Sequence, residues 1–230
     1  MDAPDPSGAV LVSGGASGLG RAVVAALRKG GRTVAVLDRT PLADPDALQV
    51  DLADGAATEA AVRAAAEKHR GLSAVVTAAG TDACGALGEV ARADWERVVA
   101  VNLLGTAAVV RAALPFLERR RGRVVTVAST LGLRALSHAT AYCASKFGVV
   151  GFTRALAVEL AGRVGVTLVV PGGMRTAFFD GRDPQYRPPP DAELLDPALV
   201  ARAVAFALEQ PPGAELRELV VTPSREPSWP

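Results

Sequence analysis

The sequence predicts a doubly wound α/β fold, one parallel sheet of about seven strands with helices on both faces, in a single domain over residues 1–230. Three observations carry this. Short valine-rich apolar runs recur without polar alternation, as in strands buried on both faces. Stretches of helical spacing separate most of these runs, and strand–helix alternation specifies a parallel sheet. The first strand–helix junction is a cluster of glycines, and no linker or internal repeat divides the rest of the chain.

Taken in order, Ala9-Val10-Leu11-Val12 reads as the first strand. The turn Ser13-Gly14-Gly15-Ala16-Ser17-Gly18-Leu19-Gly20 comes next, then helical spacing from Arg21 to Arg28. Strands are expected at 33–37, ending on Asp38, and at 47–50, ending at Asp51-Leu52. A helix is expected from about Thr58 to His69 and a strand over 73–77, turning at Ala78-Ala79-Gly80. Asp94 is a plausible N-cap of a helix running to about Arg120, with Asn102 in its middle. A strand from Arg123 ends at Ser129, and a central helix begins near Thr140. The sixth strand, Val164 to Val170, closes on Pro171-Gly172-Gly173-Met174-Arg175-Thr176. Residues from about 177 to 195 read as a substrate loop. Asp196-Pro197 is a cap with proline at the first helical position, opening a helix to about Glu209 before a last strand over 216–221.

Composition narrows the function. With 25 basic and 24 acidic side chains the net charge is +1, which argues against a nucleic-acid or membrane-surface footprint. Cys84 and Cys143 lack metal-ligand spacing and suit a reducing compartment, so no metal is expected. No unbroken apolar run approaches a membrane span, and Met1-Asp2-Ala3-Pro4-Asp5 is not the basic start of a signal peptide. A cytoplasmic protein is expected.

The glycine turn between strand and helix is a phosphate cradle, because glycines let backbone approach a pyrophosphate and the helix N-terminus offers free N–H groups. Its spacing is G-x-x-x-G-x-G, and a flexible loop is the bland alternative. Asp38 lies 38 − 18 = 20 residues beyond Gly18, where a carboxylate would meet an adenosine ribose. Its two oxygens suit the ribose hydroxyls of NAD and repel the 2′-phosphate of NADP, although Arg39 next door could pair with that phosphate. NAD is therefore favoured over NADP. A strand-end aspartate that simply starts a turn is the duller reading. Tyr142 and Lys146, four residues apart, share one helix face, and an ammonium beside a phenol favours the phenolate. Asn102 needs hydrogen-bond partners if buried, found locally or through a water.

These residues resemble the short-chain dehydrogenase/reductase family in its compact single-domain form, from about Ala9 to Val221. The family's T/S-G-x-x-x-G-x-G turn is matched by Ser13, Gly14, Gly18 and Gly20, and its S-x-x-G element by Ser129 to Gly132. The resemblance implies a Rossmann-type sheet and a catalytic set of Asn102, Ser129, Tyr142 and Lys146. It implies a cofactor site of Gly14, Ser17, Gly18, Leu19, Gly20, Asp38, Arg39, Asp51, Leu52, Ala79, Gly80, Tyr142, Lys146, Pro171, Gly172, Met174 and Thr176. Lys146 would depress the Tyr142 pKa, Ser129 would hold the substrate oxygen, and Asn102 would hold a water in a proton relay. The expected activity is hydride transfer between NAD(P) and a secondary alcohol or ketone.

The sequence departs from the family at Ala78, where an asparagine is usual, and in its proline-rich ending from Pro223. Leu131, Leu133, Leu136, His138, Met174, Phe178 and Phe179 would line the substrate pocket. His138 could instead be an exposed residue, and Met174 and the phenylalanines core anchors. Arg134, Arg175, Arg182 and Arg187 leave acidic substrates open. Gly148, Gly151 and Ala155 would let the central helix pack on its twin in a homodimer or homotetramer, or only within the subunit. A catalytically silent dinucleotide sensor or scaffold is the alternative; the intact Asn102, Ser129, Tyr142 and Lys146 set speaks against it.

Overall fold

The computed structural model describes residues 8–211 and 213–229; the reading of Met1–Asp5 lies outside them. Seven strands form one sheet: β1 Ala9–Ser13, β2 Val34–Asp38, β3 Ala47–Gln49, β4 Leu72–Thr77, β5 Arg123–Val127, β6 Gly165–Pro171 and β7 Glu218–Val221. Their spatial order is β3-β2-β1-β4-β5-β6-β7, and every pairing is parallel. The chain winds outward from β1 to β3, then crosses back to pair β4 against the other side of β1. The strand order thus reverses between β1 and β4, where a parallel sheet leaves a crevice beyond its carboxyl ends.

Burial follows the hydrophobic pattern. All of β1, β4 and β5 is buried, and each fully covered valine or leucine contributes about 1.5–3 kcal/mol. One face of the sheet carries α1 (Gly18–Lys29) and α6 (Pro197–Leu208); the other carries α2 (Gly55–Lys68), α4 (Thr106–Arg120) and α5 (Thr140–Glu159). The α6 start is as expected, with the Asp196 carboxylate accepting from Ala198 N at 2.8 Å and Pro197 at the first helical position.

Three local expectations change. Helix α2 begins three residues early, because Asp54 caps it by accepting from Ala57 N at 2.9 Å. Asp94 is not an N-cap: α3 (Arg92–Val99) starts after extended Ala91, which puts Asp94 in the first turn, where its charge suits the helix dipole. The long helix is also interrupted, since Ala100–Gly105 is a π-helical turn between α3 and α4. By length and composition Arg92–Arg120 could cross a membrane, contrary to the sequence expectation, yet 56% of its most apolar stretch is buried inside the protein. Burial of that kind belongs to a core helix.

Candidate active site

The cradle forms where β1 ends. Gly14 has a φ of +76°, and a Cβ there would lie 2.6 Å from Ala79 Cα. A Cβ on Gly20 would meet Gly14 O at 2.1 Å, so the helix and turn touch backbone to backbone. Ser17 caps α1 in extended conformation without a side-chain bond, leaving the first N–H groups, at Gly18, Leu19 and Gly20, for an anion. Asp38 braces this turn: its Oδ2 accepts from Ala16 N at 3.0 Å and its Oδ1 from Thr40 N at 2.9 Å. Arg39 is exposed and its carbonyl accepts from the Gln49 amide at 3.0 Å. Asp51 accepts from Ala53 N at 3.0 Å and pairs with Arg97 at 2.9 Å, and these partners hold its carboxyl below the usual range. Leu52 is buried beneath the π-helical turn.

Across the crevice, Thr176 faces Gly18: a Cβ on that glycine would stand 3.5 Å from Thr176 Cγ2. Thr176 Oγ1 also accepts from Phe178 N at 3.4 Å. Pro171 ends β6, Gly172 N donates to Val221 O at 2.9 Å, and Met174 forms a parallel bridge with Leu195. Ser13 Oγ and Thr77 Oγ1, opposite each other in register, are buried without hydrogen-bond partners among the described residues. A backbone cradle, a braced carboxylate and unpaired hydroxyls at the mouth of the crevice fit a dinucleotide.

The four chemistry-bearing residues come from three places in the chain. Tyr142 and Lys146 lie on α5, and the Lys146 Nζ stands 5.7 Å from the phenol ring centroid. Lys146 is 5% exposed; burial pushes its ammonium down to about 8, and its Nζ donates to Val127 O at 2.9 Å. The expectation that Lys146 makes Tyr142 acidic is not met in the free protein. Burial pushes the phenol up to about 12; a hydrogen bond with Ser129 opposes this, Asp82 reinforces it and Arg182 opposes it. Desolvation of the phenolate is the largest cause. Ser129 caps a short 3-10 turn (Thr130–Gly132), its Oγ accepting from Leu131 N at 3.1 Å.

Asn102 sits in the π-helical turn, a feature that often marks functional positions. Its Nδ2 donates to Thr81 O and Ser145 Oγ, both at 2.9 Å, and its Oδ1 accepts from Thr81 N at 2.8 Å. The side chain is therefore a brace for the loop after β4. Its main-chain carbonyl accepts from Thr106 Oγ1 at 2.8 Å. Gly80 completes the cluster: a Cβ there would lie 3.6 Å from Asn102 Oδ1 and 3.8 Å from Lys146 Nζ.

The substrate side brings the expected Phe178, Phe179 and Arg182 together with Asp82, Glu226 and Ser228, which sequence reasoning missed. Phe178 packs on Tyr142 at 5.6 Å between ring centroids, and Phe179 packs edge-on against Phe178 at 5.6 Å. Arg182, from the same loop, pairs with Asp82 at 2.6 Å. His138 is exposed, with a φ of +59° and its ring 5.6 Å from Tyr186; Leu136 is exposed too, and Cys143 is buried in packing. The C-terminal segment folds back over the site. Glu226 accepts from Gly173 N at 2.9 Å, Ser228 Oγ bonds Thr130 Oγ1 at 2.7 Å, and Arg134 donates to Pro227 O at 3.0 Å. None of these partners is near the other in sequence, so no spacing could have announced them. On the outer side of α5, the Gly148 position is filled by Leu103 of the same chain, whereas Gly151 faces open space and Val158 is 79% exposed.

The comparisons agree with this geometry. The short chain dehydrogenase family pattern matches residues 8–187. A Staphylococcus aureus protein named as an uncharacterised oxidoreductase is 30% identical, over 93% of this chain and 96% of its own. A Streptomyces coelicolor protein provisionally named a ketoacyl reductase is 38% identical, over 76% of this chain and 73% of its own. Among solved structures, a variant of actinorhodin polyketide ketoreductase with NADPH superposes with a TM-score of 0.83 at 29% identity, covering 95% of this chain and 97% of that one. An alcohol dehydrogenase from the archaeon Thermococcus sibiricus, complexed with 5-hydroxy-NADP, shares the fold with a TM-score of 0.82 at 23% identity, over 93% and 95% of the two chains. With a sheet that reverses at a glycine cradle and a family pattern spanning most of its length, this chain belongs to the short chain dehydrogenase family of oxidoreductases.

Proposed function

We propose that this chain interconverts a ketone and a secondary alcohol, with Tyr142 as the general acid/base. The observation that carries the reading is the meeting of Tyr142, Ser129 and Lys146 beside Gly80 at the crevice between Gly18 and Thr176. The nicotinamide, when bound, supplies or takes the hydride; the proton is handled by the protein. In reduction the Tyr142 hydroxyl donates to the carbonyl oxygen, while the Ser129 hydroxyl donates to the same oxygen and stabilises its growing charge. A phenol pushed up to about 12 carries its proton at neutral pH, the form that donates in reduction. Lys146 holds its place on the Val127 carbonyl and supplies positive charge behind the phenol.

Gly14 to Gly20 would take the pyrophosphate, Asp38 and Arg39 the adenosine ribose, Asp51 and Leu52 the adenine. Ala79, Gly80, Pro171, Gly172, Met174 and Thr176 would hold the nicotinamide half. The braced Asp38 carboxylate supports NAD over NADP; the ketoreductase and the archaeal alcohol dehydrogenase carry NADP-type cofactors, so Asp38 is the residue to test. The reading extends to a small carbonyl or alcohol substrate, a cytoplasmic location supported by free Cys84 and Cys143, and self-association through the open outer side of α5.

Absorbance at 340 nm with NADH and NADPH against a panel of ketones tests the activity. Tyr142→Phe should lower kcat by about 10²–10⁴-fold while cofactor affinity, read by fluorescence, stays within about threefold of wild type. Turnover near wild type in that variant would refute the assignment.

A further inference from the structure

Four arginines surround the mouth of the site, and on composition alone any of them could receive a negatively charged substrate. Three are exposed and reach backbone carbonyls: Arg134 donates to Pro227 O at 3.0 Å, Arg175 to Leu194 O at 3.4 Å and Arg187 to Arg182 O at 2.7 Å. Arg182 is the inward one, its side chain 18% exposed. Its guanidinium lies 4.9 Å from the Phe178 ring centroid and 4.6 Å from that of Phe179. Phe178 in turn packs on Tyr142. Arg182 therefore stands behind the ring that packs on the phenol.

Its charge is already met. Asp82 Oδ2 accepts from Arg182 Nη2 at 2.6 Å, and the Asp82 side chain is only 8% exposed. Asp82 is itself fully held: Ala83 N donates to its Oδ1 at 2.7 Å, and the Cys84 thiol to its Oδ2 at 3.1 Å. Burial and the Asp82 charge push that thiol up to about 12, so it stays a donor. Arg182 Nη1 donates to Tyr186 O at 3.3 Å, while its Nε is buried without a partner among the described residues. The Arg182 charge is thus matched by Asp82 behind an apolar wall of Phe178 and Phe179.

We propose that Asp82 is a specificity-determining residue: by neutralising Arg182 behind Phe178 it closes the mouth to carboxylate-bearing ketones and leaves it open to uncharged ones. The proposal rests on the reading of Tyr142 as the acid/base, and its test separates the two. Initial rates are measured with the full chain for two matched pairs, ethyl acetoacetate against acetoacetate, and methyl 4-acetylbenzoate against 4-acetylbenzoate. For the pair whose neutral member is reduced, wild type should favour that member in kcat/KM by about 100-fold, the scale of an uncompensated charge in a closed site. Asp82→Asn frees the guanidinium, and the ester-to-acid ratio should fall at least about tenfold through the KM of the acid. Arg182→Met removes the cation, so the ester preference should persist although the KM of both members rises.

Wild type reducing the acids as well as the esters overturns the proposal, whether or not Asp82→Asn folds. An unchanged ratio in an active Asp82→Asn overturns it as well. No reduction of any of the four ketones with either nicotinamide is a different failure: it removes the Tyr142 reading and this proposal with it.

Discussion

The two walls of the crevice are built from different materials. On the β1–α1–β2 side the parts touch backbone to backbone: Gly14 lies against Ala79, Gly20 against Gly14, and the Asp38 carboxylate grips the Ala16 and Thr40 amides. On the substrate side, side chains do the joining. Arg182 meets Asp82 across 100 residues, Ser228 meets Thr130 across 98, and Glu193 of the loop pairs with Arg225 of the tail at 3.1 Å. Backbone contacts cannot yield without moving an element of the sheet, whereas a side chain can change rotamer. The first wall is a fixed surface for a ligand of constant shape, and the second can be retuned to a new substrate without disturbing the fold.

The largest expected effect breaks that contrast most directly. Gly14→Ala places a methyl 2.6 Å from Ala79 Cα at a φ of +76°, combining left-handed strain with a clash against backbone. About 3–5 kcal/mol of stability should be lost. Gly173→Ala on the other wall also meets a close neighbour, but it is Leu194 Cδ2 at 2.8 Å, which can rotate away; about 1 kcal/mol is expected. Urea midpoints for the two variants compare them, and equal losses would abolish the distinction between the walls.

Next in size is the lysine shared by both walls. Burial holds the Lys146 ammonium near 8, against an ordinary value of 10.5. Between those values the unfolded chain keeps a proton that the folded chain has lost, so the folded state gains stability as pH rises. The stability of wild type relative to Lys146→Met should increase by about 3 kcal/mol from pH 8 to 10.5. A flat difference in urea melts across that window would mean that Lys146 is well solvated.

The contrast also explains what was legible in the sequence. Backbone contacts demand glycine, and helix geometry demands fixed spacing. Gly14, Gly18 and Gly20, the strand-end Asp38 and the Tyr142–Lys146 interval therefore advertised themselves, as did the positions of the strands along the chain. Asp82, Arg182 and Glu226 are ordinary polar residues whose partners are set by tertiary folding, and nothing local distinguishes them. The π-helical turn at Asn102 was hidden for another reason: one extra residue per turn leaves a continuous apolar pattern almost unchanged, so Ala100 to Gly105 reads as ordinary helix. The high pKa of Tyr142 was hidden as well, because spacing reveals a neighbouring ammonium but not the burial that overrides it.

On the cofactor wall, Asp38→Ala sharpens the comparison by removing charge without touching a glycine. It releases the Ala16 and Thr40 amides and the repulsion toward a 2′-phosphate. The ratio of kcat/KM for NAD to that for NADP should fall about tenfold to hundredfold, or about 1.4–2.7 kcal/mol. An unchanged ratio would transfer the selection to Arg39 or its neighbours.

The smallest effect belongs to the tail. Glu226 accepts from Gly173 N at 2.9 Å and from Ser228 N and Oγ at 3.1 and 2.6 Å, and so ties the segment after β6 to the turn at Thr130. Glu226→Ala removes the acceptor but leaves all three donors within reach of water, so about 1 kcal/mol is expected, not the larger penalty of a buried unpaired group. Because the segment after β6 carries Met174 and Thr176, the loss should appear as a rise of about fivefold in KM, with kcat changing less than about twofold. Glu226→Gln keeps an acceptor oxygen and should recover most of it, which a role through negative charge alone would not allow. A fall in kcat as large as that of Tyr142→Phe would instead make the tail part of the chemistry and erase the difference between a wall that reacts and one that only holds.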